Sequence, residues 1–360
     1  MMPAIRYSEN PLITPRDVPP SHPAMKVIGA FNAGVARYKG ETILVLRVAE
    51  QASADEDAVG VPVYNPAHRT VEVHWFKRSD PHYDFSDPRA VRRKDTGETV
   101  WLTSMSHLRL ARSRDGRHFT VEEKPFLAPE TPYEAFGVED PRVTEIDGVF
   151  YITYTAVSEY GIAVGLAATR DFRKVQRLGL ILPPENKDVV LFPERIGNRY
   201  YLLHRPAPKS MVDLDIWLAS SLDLETWGRH RRLMGRRPGM WDGARVGGGA
   251  VPIRTDNGWL ILYHGANEKN EYAMGACLLD LDDPSKVIAR STEPILKPEA
   301  IYELNGFFGG VVFSCGAWVE GDVVHMYYGV SDEAMAGADL SMREIFEVLA
   351  GVDAMNPVTI

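Results

Sequence analysis

The segment DPRVTEIDGVFYITYT, residues 140–155, reads as a short strand, a tight turn and a second strand. Asp147-Gly148 supplies the turn, because Gly adopts the positive φ that tight hairpin turns require. On both sides of the turn, β-branched and aromatic residues alternate with others, which is typical of a strand in a packed sheet. The stretch therefore predicts a β-hairpin with Asp140-Pro141-Arg142 at its mouth.

The same pattern, a turn with Gly or Asn followed by an alternating aromatic and aliphatic strand, recurs along the chain. The five occurrences are YKGETILVLR (38–47), IDGVFYITYT (146–155), IGNRYYLLHR (196–205), TDNGWLILYH (255–264) and VEGDVVHMYY (319–328). A short apolar strand precedes each turn, and a third strand rich in small residues follows several of them. Each repeat thus has three or four strands, which is the size of one propeller blade.

The interval between the first two occurrences is about twice the others, so part of a further unit must lie between them. Residues 99–121, TVWLTSMSHLRLARSRDGRHFTV, supply it. At most six hairpin units result, or five blades if the first and last segments complete one blade by closing the ring. We favour five. The sequence therefore predicts an all-β fold, a five-bladed β-propeller formed by residues 1–360 as a single domain.

Three segments lie outside the repeats. Residues 1–28 are interpreted as an N-terminal arm, and residues 51–98, rich in Asp, Pro and Arg, as an insertion or a long loop. Residues 339–351 are predicted to form a short C-terminal helix, because Ser341 can cap its first turn and Glu344 follows three residues later. We expect this helix to pack against the domain without a chemical role.

Composition argues against several classes of function. The formal net charge of −9 disfavours a nucleic acid or an anionic membrane as the main partner. Cys277 and Cys315 are the only cysteines and lie in apolar runs, which predicts buried thiols in a reducing compartment and no disulfide. The sequence shows no signal-peptide core and no membrane span, so a cytoplasmic location is predicted. It also shows no zinc-type spacing and no phosphate-cradling Gly loop, so we expect no metal and no cofactor.

Polar residues occur at corresponding places in the predicted repeats, where a propeller would gather them around one central funnel. They are Asn32, Arg47, Asp140, Asn186, Lys187, Asp188, His204, Arg205, Asp242, Arg245 and His264. Taken singly, each is an ordinary turn residue or a hydrogen-bonded strand end. Together they indicate a polar or anionic ligand, because apolar strands do not normally end in such residues. Nearby aromatic residues, among them Tyr133, Trp241, Tyr272 and Phe308, offer the apolar faces on which a sugar ring stacks.

Ordered blocks along nearly the whole chain resemble glycoside hydrolase family 130, the inverting β-mannoside phosphorylases and related β-mannosidases. The blocks are NPLITPRDVPP, FNAGVARYKGETILVLRVAE, FGVEDPR, ENKDVVLFPERIGNRYYLLHRP, WDGARVGGGAVPI, GWLILYHGA, FFGGVVFSCGA and YYGVSDE. The family fold is a five-bladed β-propeller, in agreement with the repeat count. The ENKDV and YTAVSEYGI blocks are most similar to those of the β-1,2-mannobiose and β-1,2-oligomannan phosphorylases.

The resemblance implies a role for each matching residue. Asp140 would be the catalytic general acid. The residues implied or considered for substrate binding are Asn32, Arg47, Glu139, His107, Asp242 and Asp332. Those for phosphate binding are Lys187, Arg205, Arg245, His264 and Tyr272. One position departs from the pattern: many members have Arg-Asn where this chain has Asn186-Lys187, and a lysine replaces the charge but not the bidentate geometry.

Inverting cleavage needs an acid for the leaving oxygen and a nucleophile on the opposite face of the sugar. Water would need a second carboxylate as its base, whereas phosphate is already anionic and needs cations to hold it. The positions expected opposite Asp140 are cationic, which favours phosphorolysis of β-mannosides, preferably β-1,2-mannobiose or short β-1,2-oligomannosides, to α-mannose 1-phosphate. Phosphate would then be a co-substrate.

Two alternatives stay open at this point. Glu139, Asp188 and Asp242 are nearby acids that could serve an inverting β-1,2-mannosidase. A propeller that binds glycans without catalysis would share the fold and the aromatic residues. The expected partners are a β-mannoside oligosaccharide and phosphate, with no nucleic acid and no membrane, and the sequence leaves a homo-oligomer open.

Overall fold

A computed structural model of the chain describes residues 4–53, 55–208 and 213–353. Strands dominate it, which confirms the predicted all-β class. The helical elements of these residues are two 3-10 turns, Pro15–Asp17 and Pro132–Glu134, and two α-helices, α1 (Ile301–Leu304) and α2 (Met342–Asp353). In the described ranges, neither α-helix has the length and apolar character needed to cross a membrane.

The described residues contain 26 strands, numbered here in chain order. The first ten are β1 (Ile5–Arg6), β2 (Met25–Tyr38), β3 (Glu41–Ala52), β4 (Ala58–Asn65), β5 (Thr70–Lys77), β6 (Tyr83–Asp84), β7 (Ala90–Arg93), β8 (Thr99–Leu102), β9 (Ser104–Ser113) and β10 (Thr120–Val121). The next eight are β11 (Gly137–Ile146), β12 (Val149–Ser158), β13 (Gly161–Thr169), β14 (Gln176–Leu182), β15 (Asn186–Leu191), β16 (Tyr200–Pro206), β17 (Ile216–Ser221) and β18 (Trp227–Met234). The last eight are β19 (Arg245–Gly248), β20 (Ile253–Thr255), β21 (Gly258–Ala266), β22 (Tyr272–Leu279), β23 (Val287–Arg290), β24 (Val312–Glu320), β25 (Val323–Val330) and β26 (Ala334–Ser341).

Five groups of antiparallel strands correspond to the sequence repeats. The first contains β2, β3, β9 and β10, the second β11 to β14, the third β15 to β18, the fourth β19 to β23, and the fifth β24 to β26 together with β1. We call these groups the first to fifth sheets. A single parallel pair, Ser106 with Gly137, joins the first and second sheets at one edge. Each hairpin predicted from the repeats is present, since β2–β3, β11–β12, β15–β16, β20–β21 and β24–β25 pair directly.

The count of five arises differently from the prediction. Residues 99–121 do not begin a separate unit, because β9 pairs along its whole length with β3 and completes the first sheet. The expectation that the first and last segments share one blade is wrong. The fifth sheet is completed by β1, whose Ile5 and Arg6 pair with Asp339 and Ala338 of β26.

Apolar side chains fill the spaces between neighbouring sheets. Five large buried clusters form, between the first and second sheets, the second and third, the third and fourth, the fourth and fifth, and the fifth and first. The first strands of the first four sheets also contact their neighbours, in the order β2, β11, β15 and β19. The first strand of the fifth sheet, β24, contacts β2 and β22. Each sheet thus packs against the next one, and the fifth sheet packs against the first.

The segment predicted as an insertion or long loop, 51–98, begins within β3 and carries strands of its own. The hairpin β4–β5 and the small sheet β6 to β8 lie between β3 and β9. Tyr64 of the hairpin donates a backbone hydrogen bond to Ala135, which connects the insertion to the chain leading into the second sheet. At the other end of the chain, α2 starts three residues after the predicted 339, because the residues up to Ser341 pair with β25.

Three first strands share one irregularity that prepares the functional site. Strands β2, β11 and β15 each shift register at a bulge, and these three bulges contain Asn32, Asp140 and Asp188, with φ of 48°, 47° and 55°. Asn and Asp tolerate the left-handed region better than other non-glycine residues. A β-bulge re-aims the side chain that it carries. Three polar side chains are therefore presented at corresponding places on three neighbouring sheets.

Candidate active site

A cavity of about 390 Å³ lies beside the bulges of β2 and β11. All five sheets contribute to its wall, and the insertion contributes as well. The lining residues are Asn32, Arg47, Arg89, Asp140, Lys187, Arg205, Arg245, Asn270, Tyr272, Phe308, Val311, Phe313 and Asp332. Nine of them, with Phe308 included, are residues that the sequence analysis named, so the structure brings most of the predicted site together.

Asp140 is the most tightly held carboxylate of the cavity and is only 4% exposed. Its Oδ1 accepts hydrogen bonds from Asn32 Nδ2 and from Arg47 Nη1, both at 2.9 Å. Burial is the largest influence on the pKa of Asp140 and raises it, but the positive charges of Arg47, Lys187 and Arg142 outweigh burial, so the pKa lies below its usual value. Asp140 is therefore ionised in the free protein at neutral pH.

Asp332, from the turn between β25 and β26, is the second carboxylate of the cavity wall. Burial raises the pKa of Asp332 to about 6, Arg47 opposes this, and the neighbouring carboxylates Asp140 and Glu139 raise it further. Carboxylates whose environments push their pKa values apart are typical of sites that bind and transfer protons. Asp332 and Asp140 form such a pair.

Arg205 lies in the part of the wall formed by the third and fourth sheets. Two residues that do not line the cavity hold its guanidinium in place. Its Nη1 lies 2.9 Å from Asp188 Oδ2 and 3.3 Å from His264 Nε2. The carboxylate of Asp188 also contacts Arg142, with 3.6 Å between Nη2 and Oδ1. Although burial raises the pKa of Asp188, Arg205 and His264 lower it well below its usual value. Asp188 is thus a buried anion that positions cations.

Arg245 and Lys187 complete the cationic part of the wall. Arg245 donates to the hydroxyl of Tyr272, at 2.8 Å, and to the side-chain oxygen of Asn270. The Nε atoms of Arg205 and Arg245 are buried without a hydrogen-bond partner among the described residues. Leaving a buried charged donor unpaired is costly, so these atoms indicate that an acceptor-rich ligand binds here.

Two predicted site residues lie just outside the cavity wall. Glu139 accepts a 2.8 Å hydrogen bond from Arg47 Nη2 and shares that arginine with Asp140. His264 is fully buried behind Arg205. Burial lowers the pKa of His264 to about 4, against the opposing influence of Asp188, so this histidine is neutral near pH 7. Both residues act on the cavity through the arginines that they contact.

The structure corrects the assignment of Asp242 to the substrate. This carboxylate is fully buried, and it accepts hydrogen bonds from Tyr263 Oη at 2.9 Å and from Arg237 Nη2 at 2.7 Å. Arg290 also pairs with it. Asp242 therefore neutralises Arg290 of the fourth sheet and Arg237 of the segment before it, and it does not line the cavity.

His107 is corrected for a different reason. In the ladder between β3 and β9 it pairs with Val48, whereas Arg47 pairs with Leu108. Successive residues of a strand point to opposite faces, so His107 and the cavity-lining Arg47 lie on different faces of the first sheet. The His107 ring is buried instead, with Nε2 at 3.5 Å from Glu50 Oε1.

Sequence reasoning missed four cavity residues. Asn270 and Val311 belong to turns beside β22 and β24, and Phe313 lies inside β24, where it reads as packing. Arg89 comes from the insertion, where arginines are frequent and none is distinguished by its spacing. Phe313 occurs in the FFGGVVFSCGA block, so that block could have indicated it, but nothing in the sequence pattern singles out Arg89 or Asn270.

Comparison with known proteins assigns the chain to a family. The model of a family described as Glyco_hydro_130, beta-1,4-mannooligosaccharide phosphorylase, matches residues 101–351. The chain belongs to glycoside hydrolase family 130. The resemblance found in the sequence is thereby confirmed. The insertion that precedes β9 lies almost wholly before the matched range.

Individual relatives of this family-130 chain match most of its length. The beta-1,2-mannobiose phosphorylase of Listeria innocua is 56% identical over 346 residues, 96% of this chain and 98% of that one. The 1,2-beta-oligomannan phosphorylase of Thermoanaerobacter sp. is 43% identical over 244 residues, 67% of this chain and 80% of that one. The solved structure of the Listeria innocua beta-1,2-mannobiose phosphorylase, in complex with beta-1,2-mannobiose, has a TM-score of 0.94 at 55% identity and covers 97% of this chain and 100% of that chain.

Proposed function

We propose that this family-130 protein is an inverting phosphorylase that cleaves β-mannosides with inorganic phosphate and releases α-mannose 1-phosphate. The observation that carries the proposal is the meeting of two groups of side chains in one cavity. Asp140 and Asp332 are the carboxylates of its described wall, whereas Lys187, Arg205 and Arg245 bring positive charge. The names of the Listeria innocua and Thermoanaerobacter relatives support the same reaction class.

The cationic group suits phosphate as the nucleophile. Phosphate arrives already anionic, so it needs donors that hold it in line with the anomeric carbon and no base to activate it. The unpaired Nε atoms of Arg205 and Arg245 and the ammonium group of Lys187 supply such donors. The ion pair with Asp188 fixes the guanidinium of Arg205 before phosphate binds, which reduces the entropy lost on binding.

Asp140 acts as the general acid in this proposal, while Asn32, Arg47 and Asp332 hold the mannosyl unit. The carboxylate of Asp140 is ionised in the free protein because positive charges surround it. Bound sugar displaces water from the cavity, and bound phosphate offsets the cations, so both substrates raise the pKa of Asp140. Asp140 then delivers a proton to the departing oxygen, by way of a mannosyl hydroxyl as the family resemblance implies. Phosphate attacks from the opposite face, which inverts the configuration.

A hydrolytic mechanism would require a further carboxylate to accept a proton from water. Asp188 is the acid closest to the cations, but it is 1% exposed and its pKa is held well below the usual value. A carboxylate already paired with Arg205 and Arg142 is a weak base. The same residues argue against a non-catalytic glycan-binding protein, which needs no acid beside a cationic group.

We further propose β-1,2-mannobiose or short β-1,2-oligomannosides as the substrates, following the names of the Listeria innocua and Thermoanaerobacter relatives. The mechanism requires no cofactor or metal. For the architecture we propose that residues 1–360 form one five-bladed β-propeller, which the closed cycle of sheet contacts supports. The free, buried Cys277 and Cys315 support a cytoplasmic location.

The decisive experiment incubates the purified protein with β-1,2-mannobiose in buffers with and without inorganic phosphate. We expect equal amounts of mannose and α-mannose 1-phosphate, formed only when phosphate is present, with the anomer assigned by NMR. Mannose released without phosphate would indicate a hydrolase instead. If no product formed in either buffer, the result would favour a glycan-binding protein without catalytic activity. β-1,4-Mannobiose serves as the linkage control and should react much more slowly.

A further inference from the structure

Arg89 is the residue of the described cavity wall that comes from the insertion. The other lining residues belong to the five sheets or to the turns and loops between β21 and β26. It lies between β6 and β7, in a loop that is fixed at several points. Its Nε and Nη2 donate to the two carboxylate oxygens of Asp87, each at 3.1 Å. Its backbone oxygen accepts from Thr103 N at 3.1 Å, and Thr103 Oγ1 donates to Pro88. The insertion therefore holds Arg89 in place at the cavity before any ligand binds.

The surroundings of Arg89 assign it to the sugar part of the cavity. Hydrogen bonding to Asp87 is the largest influence that raises its pKa, and the charges of Asp87 and Asp332 raise it further. Asp332 belongs to the group proposed to hold the mannosyl unit. The guanidinium carbon also lies 5.8 Å from the centroid of the Phe308 ring. Arg89 and Phe308 thus face each other at the cavity, one with hydrogen-bond donors and the other with an apolar ring.

Exposure distinguishes Arg89 from the other arginines of the cavity. Its side chain is 54% exposed, whereas that of Arg47 is 17% exposed and that of Arg205 is 7% exposed. The inner positions are thus occupied by groups proposed for the mannosyl unit and phosphate. The leaving sugar must move from the reacting centre to solvent. The exposed Arg89 lies on that path.

We propose that Arg89 recognises the leaving sugar of the disaccharide, which is the acceptor sugar in the synthetic direction. This inference rests on the phosphorylase function proposed above and extends it to a specificity-determining residue. Its guanidinium, oriented by Asp87, donates to hydroxyls of that sugar, and Phe308 packs against the apolar face of the ring. The insertion thereby takes part in acceptor selection, although it lies almost wholly outside the range matched by the family model.

The test uses the full-length protein in the synthetic direction, with α-mannose 1-phosphate as donor and mannose as acceptor, and follows the release of phosphate. Arg89→Ala should raise the KM for mannose about tenfold or more, because it removes hydrogen bonds from a charged donor. The KM for mannose 1-phosphate should change less than about twofold. Arg89→Lys keeps the charge but loses the fork, so we expect an intermediate KM for mannose.

Arg92→Ala is the matched control, because Arg92 Nη2 also pairs with Asp87, at 2.8 Å, without lining the cavity. It should leave both KM values at the wild-type level. If Arg89→Ala raised the KM for mannose 1-phosphate instead, or changed the two KM values no more than Arg92→Ala, the inference would be overturned. Failure of the wild-type protein to form any disaccharide would overturn the proposed function itself. Circular dichroism and thermal unfolding confirm that each variant is folded.

Discussion

Asn32 donates a 2.9 Å hydrogen bond from its amide to Asp140 Oδ1, and the two residues occupy equivalent bulges on neighbouring first strands. Both have φ close to +50°, at 48° and 47°. The amide of Asn32 is therefore held by its own strand and not by a flexible loop. Because the two bulges are equivalent, the repeat supplies both the carboxylate and the group that orients it.

Asp140→Asn should lower the turnover number of phosphorolysis by about 10²–10⁴-fold, the usual contribution of a positioned general acid. The fold should persist, since Asn tolerates the positive φ of this position and keeps a polar contact with Arg47. Steady-state kinetics on β-1,2-mannobiose and a thermal unfolding curve check both parts. An aryl β-mannoside with a good leaving group needs less protonation, so its turnover should fall less. Near-normal turnover of mannobiose by the variant would exclude Asp140 as the acid.

Arg245→Ala should raise the KM for phosphate about 10- to 100-fold, because charge-assisted hydrogen bonds to an anion contribute roughly 1.5–3 kcal/mol. Tyr272→Phe removes only the 2.8 Å hydrogen bond that Arg245 donates to this hydroxyl. It should therefore raise the same KM by a smaller factor, about three- to tenfold. The measurement is a phosphate titration at saturating mannobiose. A phosphate KM that neither variant alters would contradict an anion site at Arg245.

Gly247→Ala should weaken both stability and phosphate binding. A Cβ at this position would lie 2.5 Å from Asp188 Oδ2 and 2.5 Å from His264 Nε2, so the groups that hold Arg205 must shift. Overpacking of this kind costs about 1–3 kcal/mol.

Gly228→Ala is the matched control for Gly247→Ala, because an added Cβ there meets no atom within 4 Å. Its free energy of unfolding should stay within about 0.5 kcal/mol of the wild type. Chemical denaturation and phosphate titration of both variants check the comparison. Equal effects at the two glycines would argue that close packing behind Arg205 is unimportant.

Asp332→Asn should stabilise the protein at pH 8 while it impairs turnover. The pKa of Asp332 is raised from 3.8 to about 6, so the folded state binds this proton more tightly than the unfolded chain does. The stabilisation from that proton is fully present below about pH 4 and is lost as the pH rises through about 6. Asn keeps the neutral form at every pH, so the variant should gain about 1–3 kcal/mol at pH 8 and nothing below pH 4. A stability difference that does not vary with pH would refute this account.

The repeats in the sequence predicted the strands well, because alternation of aromatic and aliphatic residues follows from a sheet packed on both faces. They did not predict how strands are shared between sheets. Ser104–Ser113 joins the first sheet, and Ile5–Arg6 joins the fifth, through ladders between segments distant in sequence. Local periodicity contains no information about such pairing.

The site was predictable where a residue type is tied to backbone geometry. Asn32 and Asp140 lie at bulges that favour Asn and Asp, and both line the cavity. Asp242 occupies a similar place in the pattern but is buried by an ion pair with Arg290, a partner 48 positions away that no repeat reveals. The sequence did not predict Arg89 as a site residue, because its position depends on how the insertion folds back onto the first sheet.

Strand β1 has a consequence for synthesis of the protein on the ribosome. Arg6 donates hydrogen bonds to the buried Glu303, and its strand pairs with residues of β26. Residues 5–6 must therefore wait until residues 338–339 have emerged before their sheet can form. A nascent chain arrested before β24 would lack Phe313 and Asp332 as well as the pairing partner of β1. Catalytic competence should consequently appear only after Asp332 and β26 have left the ribosome.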